Sequence, residues 1–70
     1  MRTVKLFSMP NQAMASMLQG ILQGEGIDSY TKSNMIYDTK TDVFVYENAY
    51  TRAMEILKEG FPDLFSEEGE

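Results

Sequence analysis

Neither cysteine nor histidine occurs anywhere in the 70 residues. A chain this short buries only roughly 60% of the surface its unfolded form exposes. Disulfides, thiolate metal sites and the usual imidazole zinc ligand are all excluded, so no covalent or metal staple can supplement the core. The fold must therefore rest on a single apolar core, with self-association as the remaining supplement. At 43% hydrophobic residues the chain has the material for one such core and is not a disordered polypeptide.

The periodic segments come in a definite order. Thr3 to Ser8 sets Val4 and Leu6 on one side against Lys5 and Phe7 on the other, the alternation of a half-buried strand. Pro10 and Asn11 follow, with Asn11 as N-cap of a helix that carries Ala13, Met14, Met17, Leu18, Ile21 and Leu22 at helical spacing. Gly24 and Gly26 end it. Ile27 to Lys32 reads as a second strand, at an edge because its apolar content is low, and Ser33 to Thr41 as a hairpin connection. Asp42 to Glu47 holds Val43, Phe44, Val45 and Tyr46, the β-branched and aromatic run of a central strand. Asn48 is placed as the cap of a second helix reaching Glu59, with Ala53, Met54 and Leu57 inward and Tyr50 and Ile56 on its flanks; Gly60 and Pro62 stop it. Phe61, Leu64 and Phe65 are expected to dock on the core, closing one domain over residues 1–65 ahead of a flexible acidic tail over 66–70.

The order β-α-β-β-α predicts an α+β, ferredoxin-like fold: two helices on one face of a three-stranded antiparallel sheet, the fourth strand absent or degenerate. Val4, Leu6, Ile27, Val43 and Val45 then face the helices, while Lys5, Phe7, Tyr30, Phe44 and Tyr46 fall on the open face and form the candidate interface. Without a fourth strand the first strand has an unpaired edge, which the 61–65 segment or another molecule must cover.

Several short runs carry a family resemblance: Leu6-Phe7-Ser8, Pro10-Asn11, the helix to Ile21-Leu22, Glu25-Gly26-Ile27 directly before a strand, Val43-Phe44-Val45 and Ala53-Met54-Glu55-Ile56-Leu57. Over residues 3 to 58 the chain resembles a family of small prokaryotic signal-transducing proteins, domains of unknown function related in fold to the PII nitrogen regulators. The resemblance implies a ferredoxin-like fold, a bacterial source and a regulatory role, and supplies no catalytic residues. Relatives often have an acidic residue early in the first helix, where this chain has Gln12-Ala13-Met14, and glycine and proline in the hairpin loop, where it has Asn34 to Lys40.

No catalytic, cofactor-binding or metal-binding residue is assigned. Asp38-x-Lys40-x-Asp42 has a cation at the third position of a calcium loop, no glycine at the sixth and Ala49 at the twelfth. Gly24-Glu25-Gly26 follows a helix rather than opening one and lacks a phosphate loop's spacing and lysine. Arg52 and Asn48, the one pair that an acyl-phosphate hydrolase reading could nominate, sit at the spacing of a helix cap and its first turn. The six methionines read as core fillers. A net charge of −5 opposes nucleic-acid backbones and anionic lipid, and no apolar run approaches the roughly 18 residues of a membrane span. A cytoplasmic location is expected.

Together these features predict a small non-catalytic regulatory or protein-interaction module, signal transducing by resemblance, acting through the open sheet face or the edge strand. Its partner is another protein or a second copy in a homo-oligomer, with no nucleic acid and no membrane. The alternative is a sensor that binds a nucleotide or metabolite at a subunit cleft.

Overall fold

The computed structural model describes residues 2–33 and 40–65. In it Thr3–Met9 forms β1, Gln12–Gly24 α1, Ser29–Ser33 β2, Thr41–Tyr46 β3 and Tyr50–Gly60 α2, with 3-10 turns at Glu47–Ala49 and Pro62–Phe65. The three strands make one antiparallel sheet in the order β1-β3-β2, and both helices pack on one of its faces. This is the expected α+β arrangement, with the Val43 strand central and β2 at an edge. Among the described residues no helix is long and apolar enough to cross a membrane.

Local chemistry accounts for α1. The side chain of Asn11 accepts a 2.9 Å hydrogen bond from the backbone N–H of Met14, satisfying one of the donors that a helix start leaves free. At the other end Gly26 takes φ +81°, its N–H donates to the carbonyl of Gln23, and the N–H of Ile27 donates to that of Leu22. That is a Schellman ending, and it requires the left-handed backbone that glycine adopts without steric cost. Ile27 is drawn into the core as the chain turns toward β2.

The second helix begins differently from the sequence expectation. Asn48 lies inside the 3-10 turn and makes no cap bond; α2 starts at Tyr50, with Ala49 in the cap position. The β1–β3 ladder runs one bond past Tyr46, from the N–H of Glu47 to the carbonyl of Arg2 (2.8 Å), and the chain passes from it straight into the 3-10 turn that takes up Asn48. The helix ends at Gly60 as expected, although no left-handed glycine is involved: Phe61 adopts φ −133°, donates to the carbonyl of Leu57 and leads into Pro62.

The core lies between sheet and helices. Leu6, Met9, Val43 and Val45 supply the sheet side; Ala15, Leu18 and Leu22 of α1 and Ala53, Ile56 and Leu57 of α2 supply the other, with Phe61 closing the end. The buried stripe of α1 is narrower than its apolar content. Ala13 is exposed, and Met17 and Ile21 are 59% and 40% exposed, because the sheet and α2 cover only the side marked by Ala15, Leu18 and Leu22. The side chain of Thr41 is 1% exposed and its hydroxyl has no hydrogen-bond partner among the described residues.

The largest departure lies in β1. Val4 pairs with Val45 and Lys5 with Phe44, but Phe7 pairs with Val43, so Leu6 is an extra residue. A β-bulge of this kind places two residues opposite one and changes the phase of everything beyond it. Phe7 is thereby carried to the helix side of the sheet, half-buried, with its ring 5.2 Å from that of Phe65. The residues 61–65 form no fourth strand: they make a 3-10 turn whose Phe65 ring covers Phe7, while Lys58 Nζ sits 5.9 Å from the Phe65 centroid.

Candidate interface on the open sheet face

Strand pairing sets the open face in rows, because directly opposed residues of an antiparallel pair project to the same side. Thr3 lies beside Tyr46; Lys5, Phe44 and Tyr30 cross the sheet in one row; Ser8, Asp42 and Lys32 form the next. Four of the five residues expected on this face are brought together there: Lys5, Tyr30, Phe44 and Tyr46. Phe7 is not among them, because the bulge turns it to the other side.

The aromatic part of the face is ordered by its own contacts. The rings of Tyr30 and Phe44 stack with centroids 5.0 Å apart and an interplanar angle of 10°. The Tyr30 hydroxyl reaches across the central strand to within 3.4 Å of the Thr3 hydroxyl, a long and weak contact. Tyr30 stays 48% exposed and Tyr46 41%. Beside them runs a groove of about 330 Å³ lined by Thr3, Asp28, Ser29, Tyr30, Phe44, Val45 and Tyr46. Asp28 and Ser29 also line a second, polar groove of about 370 Å³ with Ser16, Gln19, Gly20, Gln23 and Ile27. There the Gln19 side-chain amide donates to the carbonyl of Ser29 at 3.1 Å, pinning the start of β2 to α1.

Charges on this face are mixed in sign. Ser8 donates to a carboxylate oxygen of Asp42, and Lys32 is opposite the same Asp42 on the other strand. Lys5 flanks Phe44. The other cation considered as an anion holder, Arg52, is engaged elsewhere: its guanidinium lies 2.9 Å from Glu25 and 3.9 Å from Glu55, tying α2 to the end of α1. Both partners of the shorter pair are largely solvated, so the link adds under about 1 kcal/mol. Asp38 of the calcium-loop candidate lies outside the described residues, and among those described no group of three acidic side chains is placed to hold a metal ion.

Sequence reasoning missed two features of the surface. Within the Ile27 to Lys32 run nothing singles out Asp28, yet it precedes β2 and borders both grooves. The exposure of Met17 and Ile21 was also missed; the signal was present in the width of the α1 stripe, which exceeds what one sheet face can cover. No protein-family model, no curated protein and no solved structure matches this chain.

Proposed function

We propose that this chain is a small non-catalytic regulatory module that binds a protein, either a partner or a second copy of itself, through the open face of its sheet. The observation that carries the reading is the aromatic group on a sheet face that no described element covers: exposed Tyr30 stacked on half-buried Phe44, with exposed Tyr46 on the same strand. Clustered exposed aromatics mark interaction surfaces, since such rings supply much contact area at little cost in conformational entropy. The face is favoured over the free edge of β1 because the bulge at Lys5–Phe7 interrupts the regular ladder that an added strand would need. The resemblance to signal-transducing domains supports the regulatory part of the reading.

The test is a peptide-display selection on the intact chain, with sedimentation over a range of concentrations in parallel. Binders, or the concentration-dependent mass, should be lost on Phe44→Lys and Tyr46→Lys and kept on Met17→Lys, which alters an exposed residue of α1. Binding that is indifferent to the sheet-face variants, or a chain that stays monomeric and yields no sheet-face binder, overturns the proposal.

A further inference from the structure

The groove beside the tyrosines is selective in its chemistry. Among the described residues its lining carries one carboxylate (Asp28), the hydroxyls of Thr3, Tyr30 and Tyr46, three aromatic rings and no lysine or arginine; Ser29, paired with Val45, borders it at the start of β2 with its side chain toward α1. A carboxylate accepts only, hydroxyl oxygens accept readily, and ring faces present the negative lobe of their quadrupole. The hydroxyls, which donate as well as accept, can serve either sign, while the carboxylate and the ring faces favour a cation. The net charge of −5 adds a long-range field of the same preference. Lys5 and Lys32 share the face but lie outside the lining, Lys5 on the β1 side of Phe44 and Lys32 in the Asp42 row. Their repulsion steers a positive group toward the Asp28 and Tyr46 end.

Deepening the reading of the open face as a protein-binding surface, we propose that this groove receives an arginine or lysine side chain presented by an extended segment of a partner protein. A segment, rather than a free small cation, is indicated by continuity. Asp28 and Ser29 border both grooves at the start of the edge strand β2, so a chain that rounds this edge beside the carboxylate can reach from the aromatic groove to the second groove on the α1 side, where Ser16, Gln19 and Gln23 can hydrogen-bond a peptide backbone. The charge of the partner is thus opposite to that of this chain, and a second copy, itself acidic, is not the occupant.

The experiment is an NMR titration of the intact, isotopically labelled chain with acetyl-Gly-Arg-Gly-amide, with its citrulline counterpart, which keeps the shape and removes the charge, and with methylguanidinium alone. The arginine peptide should shift the resonances of Asp28, Tyr30, Phe44 and Tyr46 in a saturable, salt-sensitive way. Exposed cation–π and rim carboxylate contacts together predict that citrulline weakens binding about 3- to 30-fold, whereas Asp28→Asn, which removes the carboxylate contact alone, weakens it up to about 5-fold. Asp28 is exposed, and an unchanged spectrum of the free Asp28→Asn chain verifies its fold. Equal binding of the citrulline peptide, or shifts elsewhere on the surface, overturns the proposal. Methylguanidinium binding as tightly as the peptide overturns the segment in favour of a free cation. Display-selected peptides that bind the sheet face regardless of their charge overturn the cation assignment alone, whereas the absence of any sheet-face binder removes the open-face reading as well.

Discussion

Replacing Thr41 by valine should make this protein more stable. Thr41 opens β3 between Met9 and Ser33, its side chain is buried, and its hydroxyl has no hydrogen-bond partner among the described residues. A buried hydroxyl without a partner costs about 1–3 kcal/mol. Valine puts a methyl group in the same space, so no cavity opens and no backbone need move, and it fits a strand at least as well as threonine. The expected gain is about 1–2 kcal/mol, against a total stability of roughly 4–10 kcal/mol for a domain of this length. The chain lacks tryptophan, so unfolding in urea is best followed by far-ultraviolet circular dichroism and tyrosine fluorescence together. With a slope near 1 kcal/mol/M, the low end of the usual range, the midpoint should rise by about 1–2 M at unchanged slope. The thermal midpoint should rise by about 4–8 °C for each kcal/mol. Thr41→Ser is the control: it keeps the hydroxyl and deletes a buried methyl, and should lose about 1 kcal/mol. A valine variant no more stable than the parent refutes the reasoning, because the hydroxyl must then have a partner whose loss cancels the gain.

Two further pairs of substitutions probe the local geometry. Phe7→Ala removes a half-buried ring packed on Phe65 and should cost about 1.5–3 kcal/mol, whereas Tyr46→Ala on the open face should cost under about 1 kcal/mol; equal costs in urea titrations would mean that Phe7 sits on the outer face after all. Gly20→Ala and Gly26→Ala meet no atom within 4 Å of the added Cβ, yet should differ in sign. The first gains up to about 1 kcal/mol of helix propensity. The second loses about 1–2 kcal/mol to the left-handed backbone at φ +81°. Matching signs by thermal denaturation would contradict the Schellman ending of α1.

Much of the candidate site was legible in the residues because it depends on alternation over short distances. In β3 the period-two pattern runs without interruption, so Val43 and Val45 had to share one face and Phe44 and Tyr46 the other. Tyr30 followed from the same logic on β2, and Asn11 and Gly26 were readable because a cap bond and a left-handed turn are settled within a few residues. Phe7 was not legible. Alternation predicts a side only while the ladder stays regular, and one inserted residue at Leu6 reverses every assignment beyond it. Asn48 was not legible as a non-cap either: the chain leaves β3 through a 3-10 turn over Glu47–Ala49 that places Asn48 within the turn and Ala49 at the start of α2, a placement that depends on how β3 meets the helix layer.

By itself, then, the sequence determined the kind, order and approximate extent of the elements, the absence of disulfides and of cysteine or histidine metal ligands, and hence a two-layer α+β domain. Those properties follow from composition and from short-range periodicity, which act whether or not the rest of the chain is in place. Tertiary structure decided which part of the α1 stripe is covered, where β1 bulges, on which side Phe7 lies, and that Asp28 stands where two grooves meet. Each of these depends on surfaces that approach one another only when distant segments pack, Phe65 against Phe7 and α1 against the start of β2, and no local pattern encodes such a meeting.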